Sequence, residues 1–518
     1  MPLRAEDLPH EIEPLRAMVL SLAAENEALK AAIKQINAQV FGQRSERASL
    51  LAEGQLDLEL GDLADAPTVT DQTAPAPTRE HAKRKPANRN IGRLASWLPR
   101  VIEVIEPAVT TCACCSGALH KIGEDVAEAL DAVPAQVRVL RTIRPKYACR
   151  ACESGITQAP AKLRLFDGGM ATTALVASVA VWKYAWHMPL NRQAQILAGQ
   201  GVRLDRATLG KWVKKAAWWL KGLYLRQLEV IHSHPRLYCD ETRLPVRKIG
   251  RRRTHTGQLW AHAVDDRTWG GPAAPAVVYI FAQGRGHKEI RAQLADYQGL
   301  LQVDGYSAYK GLAKPGRKPG PIELAFCLAH ARRKFTDVYK TTQSPFAAEA
   351  IGAFARIYAI EAEIRGRSAQ ERMVVRQAKT APMMADLKRR FEDELAGLSS
   401  KSKLAGAIRY NLAHWSGLTR FLNDGRLEAD NNSVERTMRP IALGRRNHLF
   451  AGDDGGAETW AILASLLNTA RLNDIDPFVW LNDVLEQIVS GQTKANDLDR
   501  LLAWNWKADR AVQMAAAA

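Results

Sequence analysis

The sequence predicts an α/β fold, because strand-like and helix-like segments follow one another in its middle part. Three segments with the hydrophobic pattern of strands, RLYCDETRLPV, TGQLWAHAVDD and AVVYIFAQG, precede a helical segment, HKEIRAQLADYQG. A further strand pattern, GLLQVDGYSAY, follows that helix. A ribonuclease-H-like fold opens with three strands, a helix and another strand in this order. We therefore expect a ribonuclease-H-like catalytic core in residues 231–331 and 428–475.

Length and charge limit the class of protein. A chain of 518 residues predicts three or four domains at about 150 residues each. The formal charge of +17 favours a polyanionic partner, with nucleic acid first. The longest apolar stretch is far shorter than the ~20 residues of a membrane span, and acids stand where a signal peptide would be apolar. We expect a protein of the bacterial cytoplasm, associated with the nucleoid and not with a membrane.

A heptad repeat marks residues 8–50. Its two series of seam positions are Leu15, Leu22, Leu29 and Ile36, and Val19, Asn26, Ile33 and Val40. This spacing predicts a coiled coil, and the single polar residue, Asn26, favours a parallel two-stranded pair. We predict a dimer through residues 15–40, with an amphipathic helix packed on its own domain as the alternative. Residues 51–95, rich in Ala, Pro and Thr with a basic run, predict a flexible basic linker.

Five of the seven cysteines lie in residues 96–165, which we predict to form a zinc ribbon. They include two C-x2-C pairs, Cys112 with Cys115 and Cys149 with Cys152. Four thiolates in two such pairs suit structural Zn²⁺, and reduced core cysteines are the alternative. The fifth, Cys114, lies inside the first pair and could replace a neighbour as ligand. The strand-like stretch QVRVLRTIRPKYA carries four candidate DNA contacts: Arg138, Arg141, Arg144 and Lys146.

Residues 166–230 have the pattern of helices, in which Gly199 and Gly201 separate two amphipathic segments. Asp205 is placed to cap the second segment, whose inner stripe is Leu209, Trp212, Val213 and Ala216. The basic residues left for solvent or phosphate are Arg206, Lys211, Lys214 and Lys215. This pattern predicts a helix-turn-helix-like DNA-binding region, or a helical hairpin that serves only as core. Two more segments are predicted helical, an insertion at 332–427 and a C-terminal tail at 476–518.

Three acidic residues are candidate Mg²⁺ ligands. Asp240 and Asp304 are each expected at a strand end, and Glu435 lies in the helical segment ADNNSVERTMRP. Two-metal phosphodiester cleavage needs carboxylates that hold both cations, and acids distant in sequence can converge at neighbouring strand ends. Caps, turns and salt bridges are the ordinary alternative for each acid. The Glu motif is flanked by four candidate phosphate ligands: Arg436, Arg439, Arg445 and Arg446.

Several motifs, in this order, resemble the insertion sequence sixty-six family of DDE transposases, from about Leu15 to Trp506. They are the heptads, the paired cysteines with IGEDVAEALDAVPAQ and RPKYACRAC, and the segments YCDET, LQVDGYSAY, CLAHARRKF, ADNNSVERTMRP, GRRNHLFAGDDGGAE and DPFVWLNDVL. The resemblance implies a ribonuclease-H-like transposase whose two Asp and one Glu are here Asp240, Asp304 and Glu435. It also implies a divalent metal, Mg²⁺ or Mn²⁺, and small accessory proteins encoded by the same element.

Neighbouring residues leave parts of this assignment open. Glu241 and Asp430 are alternative metal ligands if the strand or helix register differs. Cys327 and His330 match the C-x2-H feature of the family. Three roles are open to this pair: they bind a metal, order the insertion, or pack in the core.

The sequence thus predicts a Mg²⁺-dependent DDE transposase that binds the ends of its mobile element, cleaves DNA and transfers the 3′-hydroxyl ends to target DNA. Its expected partners are element ends, target DNA and a second copy of the chain. One alternative is an inactive, transposase-derived DNA-binding regulator, which metal-dependent cleavage would exclude. The other is a structure-selective nuclease on the same fold, which would cleave DNA without joining strands.

Overall fold

The computed structural model describes Ile102 and residues 137–148, 156–166, 169–248 and 253–517. The described residues from 144 onwards belong to one compact unit, and residues 137–143 belong to another. Residues 137–143 are exposed and have no regular secondary structure. Three predicted features, the coiled coil, the linker and the four paired cysteines, lie outside the described residues.

The strand expected from QVRVLRTIRPKYA is shorter in the structure than its sequence pattern suggests. Strand β1 covers only Lys146–Ala148 and pairs antiparallel with β2, Ile156–Gln158. The side-chain amide of Gln158 donates to the carbonyl of Arg144 at 2.8 Å. Residues 137–145 are rich in β-branched and basic side chains, but no described strand pairs with them. A strand-like composition alone therefore does not make a strand here, because a strand needs a partner for its backbone groups.

The region predicted to be helical contains, among its described residues, three helices: α1 (Thr173–Tyr184), α2 (Leu190–Gly199) and α3 (Arg206–His232). Gly201 has φ +85°, a left-handed conformation that glycine adopts freely, in the turn between α2 and α3. The Asp205 carboxylate caps α3 by accepting the backbone N–H of Ala207 at 2.8 Å. The inner stripe of α3 is buried, as expected, at Leu209, Trp212, Val213 and Ala216.

A five-stranded mixed sheet follows. Its strands are β3 (Arg236–Arg247), β4 (Thr254–Val264), β5 (Ala276–Ala282), β6 (Leu300–Val303) and β7 (Glu323–Phe326). In space their order is β5-β4-β3-β6-β7. The β3–β4 and β4–β5 pairs are antiparallel, and the β3–β6 and β6–β7 pairs are parallel. Helix α4 (His287–Gln293) connects β5 to the parallel half of the sheet. The α/β class predicted from the sequence is confirmed.

Six helices follow β7 in the stretch for which the sequence predicts an insertion. They are α5 (Leu328–Thr342), α6 (Pro345–Glu363), α7 (Ala369–Val375), α8 (Ala381–Gly397), α9 (Lys403–Ala413) and α10 (Trp415–Leu418). A π-helical turn, Arg376–Thr380, joins α7 to α8. These helices enclose their own apolar core, in which the rings of Phe335 and Phe391 stack with centres 5.0 Å apart. The insertion is therefore a packed body and not a loop.

The last helices return the chain to the sheet. They are α11 (Asn432–His448), α12 (Asp454–Leu472), α13 (Pro477–Val489) and α14 (Ala503–Ala517). Short 3-10 helices cover Ser307–Ala313, Arg420–Leu422 and Ala495–Leu501. The buried amide of Gln227 on α3 donates to the carbonyl of Val277 at 2.8 Å and to the hydroxyl of Thr469 at 3.0 Å. These bonds hold α3 and α12 on β5, because a buried amide without a partner would cost stability.

None of the helices in the described ranges combines the length and the apolar character that a membrane span requires.

Candidate active site

Two of the predicted acids lie on neighbouring strands. Strands β3 and β6 run parallel, with Tyr238 opposite Gln302. Asp240 and Asp304 each lie two residues further along, so they are neighbours where this pairing ends. Asp304 directly follows β6, as expected. The expected strand end at Asp240 is wrong, since β3 continues to Arg247 through its pairing with β4.

Helix α11 brings the third acid to this pair. Glu435 lies in the first turn of α11 and is 5% exposed. The side-chain amide of Asn431, just before the helix, donates to the carbonyl of Cys239 at 3.1 Å. Because Cys239 immediately precedes Asp240, this hydrogen bond sets the start of α11 beside the first aspartate.

These acids lie close enough together for their negative charges to repel one another. Burial, followed by the negative charges of Glu241, Asp304 and Glu435, raises the pKa of Asp240 well above its usual range. Burial is also the main reason that the pKa of Glu435 rises to about 8. Buried carboxylates this close cost free energy unless a cation neutralises them. Their oxygens are the ligands that hard divalent cations prefer, so the donor set fits a divalent metal.

Glu241, the alternative ligand next to Asp240, is already neutralised by the protein. Its carboxylate accepts hydrogen bonds from Arg285 Nε at 2.6 Å and from the Tyr309 hydroxyl at 2.7 Å, and its side chain is 1% exposed. Asp240 Oδ1 instead accepts the backbone N–H of Glu241 at 2.9 Å. Within the described ranges, the ion pair at this place is made by Glu241 and not by Asp240. Asp240 is therefore the more available of the two to a metal cation.

Asp430, the alternative to Glu435, supports the start of α11. Its two carboxylate oxygens accept the backbone N–H of Asn432 at 3.0 Å and the side-chain amide of Asn432 at 2.6 Å. Burial is the main cause that raises its pKa to about 6. The side-chain amide of Gln302 donates to the carbonyls of Glu428 at 2.6 Å and Asp430 at 2.8 Å. The segment before α11 is thus tied to β6, the strand that ends beside Asp304.

Cys327 and His330 lie next to Glu435, which the sequence did not indicate. Cys327 follows β7, and His330 lies in the first turn of α5. One ligand atom from each of Cys327, His330 and Glu435 lies within 4.8 Å of the other two. The thiol is buried, as core packing predicts, but it faces donor groups that can bind a metal.

A known family matches the part of the chain that carries these acids. The Transposase IS66 family matches residues 168–459, which is more than half of the sequence. This chain belongs to the Transposase IS66 family. The flanks match further elements of the same transposases: the zinc-finger binding domain of transposase IS66 at 110–153, the IS66 C-terminal element at 465–504, and Transposase C of IS166 homeodomain at 28–102. The family resemblance read from the sequence motifs is confirmed.

Relatives from Sinorhizobium fredii (strain NBRC 101917 / NGR234) resemble this IS66-family chain along nearly its whole length. Uncharacterized protein y4jD is 54% identical over an alignment that covers 99% of this chain and 100% of the relative. Uncharacterized protein y4qI is 39% identical, with 98% and 99% covered. These names state no activity, so the family matches carry the functional conclusion. The IS66 matches imply a transposase that acts on DNA, uses a divalent metal and contains a zinc finger.

In this IS66-family transposase, helix α3 presents a basic face with an aromatic residue in it. Lys211 and Lys214 are exposed, and Lys221 continues the same face of the helix. Trp218, between them on that face, is 61% exposed, and Lys215 Nζ lies 3.9 Å from its ring centre. Trp218 and Lys221 are not among the residues predicted from the sequence, although their helical spacing from Lys214 could have indicated both.

The remaining predicted DNA contacts are distributed over several elements. Those on exposed positions are Arg138, Arg141, Arg144, Lys146, Arg206 and Arg436. Those that are partly buried on α11 are Arg439, Arg445 and Arg446. Arg445 also has a structural contact, since its guanidinium donates to the carbonyl of Arg243 at 2.6 Å. That hydrogen bond anchors α11 to β3.

Proposed function

We propose that this transposase is a DDE enzyme in which Asp240, Asp304 and Glu435 hold two divalent cations in a ribonuclease-H-like core. The observation that carries the proposal is the convergence of three acids: Asp240 on β3 and Asp304 just after β6, both partly exposed, and the buried Glu435 on α11. The sheet supports it, because three antiparallel strands are extended by two parallel ones. The IS66 match over residues 168–459 supports strand transfer over cleavage alone.

The protein contributes to this chemistry by holding the three carboxylates in position. Strands β3 and β6 hold the two aspartates side by side, and α11 sets Glu435 against them. Bound cations would activate water and later a DNA 3′-hydroxyl as nucleophiles, and they would stabilise charge on the reacting phosphate. Hard carboxylate oxygens favour Mg²⁺, with Mn²⁺ as a substitute. Cleavage leaves a 3′-hydroxyl in the same site, so joining to target DNA needs no covalent protein intermediate.

Binding of element ends belongs, in this proposal, to basic residues outside the acid cluster. Helix α3 supplies Arg206, Lys211, Lys214 and Lys215, and the ribbon supplies Arg138, Arg141, Arg144 and Lys146. Arg436 and its neighbours on α11 would hold the phosphates nearest the acids. The zinc of the ribbon would be bound by Cys112, Cys115, Cys149 and Cys152, which the zinc-finger match includes. Residues 15–40 would join two copies of the chain into a dimer. Small accessory proteins encoded by the same element would be further partners.

The test incubates the purified full-length chain with labelled element ends, target DNA and Mg²⁺. The wild type should cleave the ends and join them to the target. Asp240→Asn, Asp304→Asn and Glu435→Gln should each lower cleavage at least roughly 100-fold, because losing about 3 kcal/mol of transition-state stabilisation has that effect. Glu241→Gln and Asp430→Asn are the matched neighbours, and they should cleave. All five variants should still bind the ends.

Specific results would overturn parts of the proposal. Normal Mg²⁺-dependent cleavage by Asp304→Asn would show that the triad is wrong. Cleavage lost in Asp430→Asn but kept in Glu435→Gln would move the third ligand to Asp430. Cleaved but never joined products would indicate a structure-selective nuclease, and tight end binding without any cleavage would indicate an inactive regulator.

A further inference from the structure

The place where β7, α5 and α11 meet holds three different donor types. Cys327 supplies a thiol, His330 an imidazole and Glu435 a carboxylate, and their ligand atoms lie within 4.8 Å of one another. Cys327 is 1% exposed, whereas the side chain of His330 is 19% exposed. A buried thiol beside a partly open imidazole leaves a path by which an ion can enter.

His330 and Glu435 are too far apart for a hydrogen bond. His330 Nδ1 and Glu435 Oε1 are 3.9 Å apart, beyond the roughly 2.7–3.2 Å of an N–H···O hydrogen bond. A nitrogen and an oxygen bound at about 2.0–2.2 Å to one tetrahedral cation lie roughly 3.3–3.6 Å apart, so these two atoms need to approach by only a few tenths of an ångström. The spacing therefore suits two ligands of one ion.

We propose that Cys327, His330 and Glu435 bind a borderline-soft divalent cation, and that Zn²⁺ is the ion they fit. Thiolate and imidazole ligands select Zn²⁺ over Mg²⁺, which prefers oxygen ligands only. Three protein ligands leave the fourth tetrahedral position of zinc open. This site is distinct from the Asp240 and Asp304 pair and shares only Glu435 with it.

Hydrogen bonds between the two helix starts hold the ligands in place. The backbone N–H of Asn431 donates to Cys327 Sγ at 3.2 Å. The backbone N–H of Leu328 donates to the carbonyl of Ala429 at 2.9 Å. The segment that begins α5 and the segment that begins α11 are thus linked to each other directly. Such outer contacts fix the orientation of metal ligands.

The role of the ion, unlike the site itself, rests on the proposed function. Cys327, His330 and one oxygen of Glu435 would together hold this ion, which would restrict the rotation of the Glu435 carboxylate and leave its other oxygen free for a second cation. Cys327 and His330 are then positioning residues for Glu435. We expect His330→Gln to raise the Mg²⁺ concentration needed for half-maximal cleavage roughly 10-fold or more, as removal of the groups that orient metal ligands does.

The direct test measures the zinc content of the full-length chain after equilibration with Zn²⁺ and removal of free metal. The wild type should hold one zinc more than Cys327→Ser and one more than His330→Gln. Cys239→Ser is the matched control, because Cys239 is also a buried free cysteine, and it should keep the wild-type content. Zinc in the finger segment is common to all four proteins, so only the difference counts. With Co²⁺ in place of Zn²⁺, the thiolate-to-cobalt absorption should fall in Cys327→Ser.

Equal zinc content in the wild type, Cys327→Ser and His330→Gln, with unchanged circular dichroism, would overturn the site. If Cys327→Ser fails to fold, His330→Gln decides alone, because its side chain is partly exposed. Loss of the extra zinc in Cys239→Ser as well would also overturn it, as a general effect of packing. Asp240→Asn separates the two proposals, since it should lose cleavage and keep the zinc.

Discussion

Asp240 and Glu241 are adjacent in β3, and burial raises the pKa of both carboxyls, but their bonding partners differ. Glu241 is held by the Arg285 guanidinium and the Tyr309 hydroxyl. Asp240 faces further acids. Burial is the main cause that raises its pKa, and the negative charges of these acids raise it further. A carboxylate that pairs with a cationic side chain supports the fold, whereas the charge of one surrounded by other acids is unfavourable until a proton or a metal cation binds. The hydrogen bonds of each side chain thus distinguish Asp240 from Glu241, whereas the YCDET motif alone does not.

Asp240→Asn should stabilise the metal-free protein while it removes cleavage. The amide relieves repulsion among buried acids, and about 1 kcal/mol of relief corresponds to a rise of roughly 2–4 °C in the thermal midpoint. Mg²⁺ should raise the midpoint of the wild type and leave that of the variant unchanged. Differential scanning calorimetry in chelator and in Mg²⁺ measures both effects.

Asp266→Asn provides the opposite control for that experiment. Asp266 is also buried, but Arg236 pairs with it at 2.5 Å. Losing this partner should lower the midpoint in chelator, because Arg236 would be left buried without its counter-charge. A midpoint that falls for Asp240→Asn as well would show that repulsion among the acids is not what the substitution relieves.

Among the elements, the insertion helices brace the segment that leads into α11. Arg372 on α7 is 1% exposed, and its guanidinium pairs with Glu428 at 2.6 Å. Arg376 in the following π turn pairs with Glu361 on α6 at 2.6 Å. Because the carbonyl of Glu428 also accepts from Gln302 on β6, the insertion and the sheet hold the same segment. The insertion therefore contributes to the position of Glu435.

Arg372→Ala should destabilise the chain by about 3–5 kcal/mol, since it takes a cation from the partly buried Glu428 and from the buried Glu361. Cleavage should fall with stability, because the start of α11 loses its support. Arg389→Ala is the matched control: Arg389 makes exposed pairs with Asp386 and Asp393 on α8, and its loss should cost at most about 1 kcal/mol. Urea unfolding followed by circular dichroism compares them. Equal effects of the two variants would show that the buried network is not a brace.

The exposed lysines of helix α3 lead to a separate prediction about DNA binding. Replacing Lys211 and Lys214 together by Gln should weaken binding of element ends and of unrelated DNA alike. The slope of log affinity against log salt should fall by about 2, because each phosphate that a lysine neutralises contributes about 0.9 to it. Lys388→Gln, on an exposed position of α8, should leave the slope unchanged. Titrations of fluorescent DNA at several salt concentrations give these slopes, and an unchanged slope in the double variant would remove α3 from the interface.

For the whole molecule, the heptads of residues 15–40 predict how two copies associate. Asn26→Leu should strengthen self-association and relax its restriction to two strands, because the buried amide pair is replaced by apolar contacts. Ala28→Leu, at an outward heptad position, should change neither. Sedimentation equilibrium of the full chain reports both mass and affinity. A wild-type segment 15–40 that stays monomeric at high concentration would contradict the dimer.

Local sequence patterns predicted many of the strands and helices of this protein, its candidate acids and its family. Alternating apolar residues predicted β3 to β6, and the cap at Asp205 with its apolar stripe predicted α3, because both depend on residues close together in the chain. The motifs also identified Asp240, Asp304 and Glu435 as candidates and the IS66 family as the relative. The strand-like stretch at 137–145 was over-extended for the same reason, since a local pattern does not show whether a partner strand is present.

Which residues meet was decided only by the tertiary structure. Asp240 lies beside Asp304 because of the parallel register of β3 and β6, and it lies within its strand because β4 continues the pairing. Cys327 meets Glu435 because the segment just before α11 donates to and accepts from Cys327 and Leu328, which are about 100 residues away in sequence. Register and packing depend on contacts between distant segments, whose energies do not appear in any local window. The same contacts separate Glu241, which pairs with Arg285, from the neighbouring aspartate, for which the described residues supply no such cation.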